Sequence, residues 1–131
     1  MIPKFRAWHK ELEIMMSLQT IWLDEGEISE LELNDSFINE SIPVYRDEVA
    51  LMQSTGLFDK NGEEIYDGGV VEWEHKDTKQ LVKGVVKYDM EFGFWGMTDV
   101  RFKELKAIGY LSEQNVTVLG NKFENPELME E

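Results

Sequence analysis

Two lone histidines, an acidic Asn-Gly turn and a lysine-and-aromatic run are the places where residue type and spacing bear on chemistry. Asp59-Lys60-Asn61-Gly62 mimics part of a calcium loop, in which acids at alternate positions lead to a Gly at the sharp bend and a bidentate Glu closes the site. With Gly62 at that bend, Leu57 falls at the first ligand position and Gly68 at the last. Neither side chain can hold calcium, so the segment reads as a hairpin turn. His9 and His75 have no second ligand at helical or hairpin spacing, and an exposed or hydrogen-bonded imidazole is expected for each. Neighbouring acids such as Glu63 and Glu64 point to opposite sides of an extended chain, whereas glycoside hydrolysis needs two acids converging across a cleft. There is no nucleophile elbow, no phosphate-cradling loop and no dinucleotide fingerprint. No catalytic, cofactor or metal residue is assigned from the sequence, and a non-catalytic protein is expected.

Lys83-Gly84-Val85-Val86-Lys87-Tyr88 followed by Phe92-Gly93-Phe94 mimics the nucleic-acid face of a cold-shock domain, where aromatics stack on bases and lysines meet phosphates. Tyr88, Phe92 and Phe94 would be the stacking residues. Against this stands the charge: 13 Lys and Arg face 27 Asp and Glu, a formal net charge of −14. Such a field repels phosphates and anionic headgroups over a screening length of about 8 Å in physiological salt. Nucleic acid and membrane surfaces are disfavoured partners.

The acids are unevenly placed. Asp24 to Glu48 holds nine of them and one base, Arg46. Within that tract Glu25, Glu27, Glu30, Glu32 and Asp35 are the candidate partner-binding residues, since attraction to a basic protein speeds association. One specific form is mimicry of DNA phosphates in the cleft of a host enzyme; the plain alternative is a solvated face that maintains solubility. Trp8, Trp22, Trp73 and Trp95 read as core or oligomer-interface residues before ligand cages.

These residues need a scaffold, and 131 residues suit one ordinary core. The absence of cysteine rules out disulfides and thiolate metal sites and fits a reducing compartment. The start, MIPKFRAWHK, lacks the apolar core of a signal peptide, and no apolar run approaches the roughly 20 residues of a membrane span. A cytoplasmic location is expected.

Along the chain, Lys4 to Trp8 and the alternating Leu12, Ile14, Met16, Leu18 read as two strands turned at His9 to Glu11. Thr20 to Leu23 is a further short strand closed by Asp24-Glu25-Gly26-Glu27, after which Ile28, Leu31 and Leu33 show mixed periodicity. Residues 34–48, interrupted by Pro43, read as a surface loop or edge strand. Val49 to Gln53 leads to turns at Gly56, Asn61-Gly62 and Gly68-Gly69, then strands at Val70 to His75, Leu81 to Tyr88, Phe92 to Thr98 and Asn115 to Leu119. Asp99 to Tyr110 is ambiguous between a short helix and a bent connection. Asn125-Pro126 should open a helical turn, Asn125 capping it. The sum is one mainly-β domain over residues 1–131: a small barrel-like, SH3-like unit with an N-terminal hairpin and a C-terminal helical turn.

Three islands then carry a pattern in order: Ile2 to Trp8; Met52 to Gly68, read MQSTGLFDKNGEEIYDG; and Leu119 to Leu128, read LGNKFENPEL. Together they resemble the YopX family of bacteriophage and prophage proteins, covering about a quarter of the chain and bracketing nearly all of it. The resemblance implies a mainly-β, oligomeric protein with a barrel-like part, encoded by a phage or prophage and working inside a bacterium. It implies no activity. One departure stands out, since the family pattern has an acid after the glycine of its tyrosine-acid-glycine run and Gly69 holds that place here. The leading expectation is an accessory protein acting by self-association and protein binding, without cofactor. A single-strand nucleic-acid module or an acidic DNA mimic is the alternative.

Overall fold

In a computed structural model, residues 4–35, 40–91, 93–101, 105–107 and 115–130 are described; Ile2, Pro3, Phe92, 36–39, 102–104 and 108–110 of the segments above lie outside them. The described chain is built of antiparallel strands and two short 3-10 turns, and divides into two compact units, Met1–Gln53 and Ser54–Glu131. No helix among the described residues is long and apolar enough to cross a membrane.

In the first unit, β1 (Phe5–His9), β2 (Ile14–Asp24), β3 (Glu27–Asp35) and β4 (Glu40–Tyr45) form a meander, and the first half of β5 (Val49–Phe58) pairs back onto β1. The β2–β3 hairpin turns on Glu25 and Gly26, both at positive φ (52° and 82°), the two-residue geometry whose twist matches the flanking strands. β2 joins into one strand the two segments read separately from the sequence. The joint is a β-bulge between Leu18 and Thr20, and a second register shift falls between Trp22 and Leu23. Each slip of one residue exchanges the two faces of the sheet. Inward positions therefore pass from Ile14, Met16 and Leu18 to Ile21, and from Ile28 to Leu31 and Leu33, which accounts for the mixed periodicity. These residues pack with Ala7, Val44 and Val49.

The sheet must curl around that core. Tyr45 and Val49 are joined by a 3-10 turn, Arg46–Glu48, and four residue steps reach at most about 14 Å. Five flat strands would hold β4 and β5 about 19 Å apart. Lys10 fastens the connection, its N–H donating to the Glu48 carbonyl (3.1 Å) and its ammonium to the Asp47 carbonyl (3.1 Å). The mainly-β class holds, with β1–β2 as the N-terminal hairpin. The sheets are not closed into a barrel, however, because β4 and β5 share no ladder among the described residues. β4 is an edge strand containing Pro43, which has no N–H to offer a neighbour.

In the second unit, the end of β5 pairs with β6 (Glu64–Tyr66), and β7 (Gly69–Glu74), β8 (Leu81–Asp89), β9 (Phe94–Asp99), β10 (Leu105–Ala107) and β11 (Val116–Asn121) form a sheet in the order β10-β9-β8-β7-β11. Ile65, Val71, Val82, Val86, Met97 and Val116 make its core, with Leu57, Trp73, Trp95 and Val118 against them. Gly56 is not a chain reversal but an irregularity inside β5, where the register slips between Ser54 and Phe58. The segment from Asp99 onward includes a strand, β10, rather than a helix. The final 3-10 turn, Pro126–Met129, lacks the expected cap: Asn125 makes no capping bond, and its Oδ1 instead accepts from Asn121 N–H (3.3 Å).

Candidate interaction face

Both histidines hold turns. His9 Nδ1 accepts from Leu12 N–H (3.1 Å) in the β1–β2 turn, and His75 Nδ1 accepts from Asp77 and Thr78 N–H (both 3.2 Å) in the β7–β8 turn. In both, the Nδ1 lone pair is directed at backbone N–H groups, so the imidazole helps to hold its turn. His75 also stands edge-on to Trp73, with ring centroids 5.4 Å apart.

The Asp59 turn is equally occupied. Its Oδ1 accepts from Asn61 and Glu63 N–H (2.9 and 2.8 Å), and its Oδ2 from Val118 N–H (2.9 Å). Burial pushes the carboxyl up, but these three backbone donors and the Lys60 charge outweigh it and hold Asp59 below the ordinary carboxylate range. The carboxylate thereby covers the outer edge of β11, reinforced by Lys60 N–H donating to the Val116 carbonyl (3.0 Å). Among the described residues no three His, Cys, Asp or Glu side chains gather as metal ligands.

Other polar residues of the middle and last islands do similar work. Ser54 Oγ donates to the Glu64 carboxylate and accepts from Gly56 N–H; Thr55 Oγ1 donates to the Ile65 carbonyl and accepts from Leu57 N–H. Asn121 Oδ1 accepts from Phe123 and Glu124 N–H, and Lys122 N–H donates to the Gly68 carbonyl (3.0 Å). A Cβ at Gly120 would run into the Asn125 side-chain amide, so a larger residue there must push aside the group that accepts from Asn121. At Gly69, the departure from the family pattern, a Cβ would lie 2.9 Å from the Tyr66 carbonyl oxygen, so this backbone seats no acid there unmoved. Beside it, half-buried Asp67 is pushed above the usual range by desolvation, with Lys122 and the Gly68 N–H opposing.

Of the three stacking candidates, Phe92 lies outside the described residues, and Tyr88 and Phe94 are not brought together. Tyr88 is registered with Trp95, their rings edge to face at 5.2 Å, while Phe94 is registered with Asp89. Adjacent strand positions face opposite sides of a sheet, so Tyr88 and Phe94 look away from each other. Lys83 and Lys87 share the face of Phe94, and the Lys83 ammonium donates to the Glu130 carbonyl (2.8 Å).

Part of the acidic tract forms a face. Glu25 sits in the hairpin turn, Glu27 opens β3, Glu30 and Glu32 point outward opposite the buried Leu31 and Leu33, and Asp35 ends the strand. Glu30 is registered with Trp22 on one side and Tyr45 on the other, and Glu32 with Thr20 and Pro43. Directly paired residues share a face. Trp22, Glu30 and Tyr45 thus form one row across three strands, with Trp22 45% and Tyr45 62% exposed. Leu23, 65% exposed near the hairpin tip, is registered with Ile28 and so lies on the opposite face from Trp22. Trp22, expected in the core or an interface, is thus on the surface, and Tyr45, within the stretch expected as a surface loop or edge strand, closes edge strand β4. The outward phase of Trp22, next to inward Ile21, was the available signal. Tyr45 also borders a cleft of about 570 Å³ lined by Lys10, Ser29, Arg46, Asp47, Val49 and Leu51.

The sequence model of one protein family, described as YopX protein, matches residues 4–130. Two solved structures share the fold. Protein EF1440 from Enterococcus faecalis is 26% identical, with a TM-score of 0.65 over 99% of this chain and 99% of that one. Protein YopX from Bacillus subtilis is 21% identical, with a TM-score of 0.64 over 95% of this chain and 96% of that one, and speaks for the fold alone. No curated protein matches the chain.

Proposed function

Since this chain belongs to the YopX protein family, whose membership carries no activity with it, we propose from the geometry that it is a non-catalytic accessory protein that binds other proteins and itself. The observation that carries this reading is the outer face of β2, β3 and β4: exposed Trp22 and Tyr45 set among outward carboxylates. Exposed aromatics with a charged surround are the composition of a protein-recognition patch. The side chains best suited to chemistry, His9, His75 and Asp59, are meanwhile engaged with backbone N–H groups in turns. The origin in a phage or prophage and a place of action in the bacterial cytoplasm belong to the same proposal and draw on the sequence resemblance.

The test is affinity capture from a bacterial lysate with the full chain, read by mass spectrometry, alongside light scattering for self-association. Trp22→Ala with Tyr45→Ser should remove captured proteins or lower the assembly state. An unchanged partner set and unchanged mass would overturn the proposal. The nucleic-acid alternative loses support because Tyr88 and Phe94 point to opposite faces. Oligonucleotide binding at low salt that Phe94→Ala abolishes would restore it.

A further inference from the structure

We propose that the row Trp22, Glu30, Tyr45 receives an arginine side chain from a basic segment of a partner protein, an inference that rests on the protein-binding reading above. Registered strands lie about 4.8 Å apart, so two aromatic side chains flank one carboxylate with roughly 10 Å between their backbones. That spacing admits one planar cation between the rings. A guanidinium uses such a site in two ways at once: it stacks on an aromatic face and donates its N–H fork to a carboxylate. An ammonium is a compact, strongly hydrated charge and gains less from the same surroundings.

The site is open. Among the described residues no cation pairs with Glu30 and no ring or cation lies on Trp22 or Tyr45. Charge selects the occupant: Glu32 follows on the same face, and Asp24, Glu25 and Glu27 ring the hairpin tip, a field that attracts a basic segment and repels phosphate. In the second unit the exposed Tyr88 is already met edge-on by Trp95.

The probe is a blocked pentapeptide, acetyl-Gly-Arg-Gly-Arg-Gly-amide, titrated at low salt against the full chain while the indole N–H signals of the four tryptophans are followed by NMR. The Trp22 signal should shift and saturate. The Lys counterpart should bind about threefold more weakly. Glu30→Gln should weaken the Arg peptide about fivefold and Tyr45→Ser about threefold, whereas Glu127→Gln, an exposed acid of the second unit, should change nothing. A Trp22 signal that does not move, or binding indifferent to Glu30→Gln, overturns the inference. The two readings fail separately: a captured protein lost with Trp22→Ala but kept with Glu30→Gln leaves the interface standing and removes the arginine, while one kept with both removes the interface as well.

Discussion

The two units use their polar side chains in opposite directions. In the second, Ser54, Thr55, Asp59, Asn121 and Asn125 turn back onto backbone N–H and C=O groups and fix bulges, a hairpin turn and the edge of β11. In the first, Glu25, Glu27 and Glu30 stand in solvent beside exposed aromatics. A side chain committed to backbone is constrained in identity because each bond has one geometry, and its loss leaves a buried donor unmet. A side chain in solvent is free to meet a partner. The most recognisable part of this sequence is therefore its scaffold, and the part best placed to act is the one with the less distinctive sequence.

The largest expected effect that tests this contrast is at Asp59. Asp59→Ala removes the acceptor of three N–H groups, one of them on a strand 59 residues away in sequence, and should lower stability by about 3 kcal/mol in urea unfolding followed by tryptophan fluorescence. A loss under about 1 kcal/mol would break the claim that this carboxylate is structural. Gly120→Ala comes next. Its Cβ would meet Asn125 Oδ1, so the terminal loop must shift, at about 2 kcal/mol by the usual scale of overpacking.

Much of this scaffold was legible beforehand, for reasons visible in particular residues. Gly26 and Gly62 announce their turns because glycine accepts positive φ, and the Val-rich β8 announces itself by composition. The bulges at Leu18–Thr20 and in β5 were not legible, since a one-residue slip mimics a strand end followed by a new start. The cap at Asn125 was misplaced because its amide had a closer use on Asn121. The row of Trp22, Glu30 and Tyr45 joins three strands and depends on the slipped register. No local spacing reports it.

The contrast also has a pH signature. Asp59, held low, contributes stability that is present above its unfolded pKa and lost as pH falls through the folded one. Asp67, pushed high by desolvation, acts in the other sense: its contribution is complete below the unfolded value and is lost as pH rises through the folded one. Acid titration of the urea midpoint should therefore show a fall below about pH 4 that Asp59→Asn flattens. Asp67→Asn should raise the midpoint at neutral pH by less than Asp59→Ala lowers it. A fall of equal steepness in Asp59→Asn would assign the acid sensitivity elsewhere.

The smallest expected effect is the most informative about function. Trp22→Ser, Tyr45→Ser and Glu30→Gln each alter an exposed side chain with no partner in the fold among the described residues, and each should shift stability by no more than about 0.5 kcal/mol. A tryptophan exposed on a strand normally costs little to remove unless it packs on its neighbours. If Trp22→Ser destabilised the chain as much as Gly120→Ala does, Trp22 would belong to the scaffold, and the distinction between the two units would fail at its key residue. A stability-neutral Trp22→Ser that nonetheless abolishes peptide or partner binding separates folding from recognition at one position.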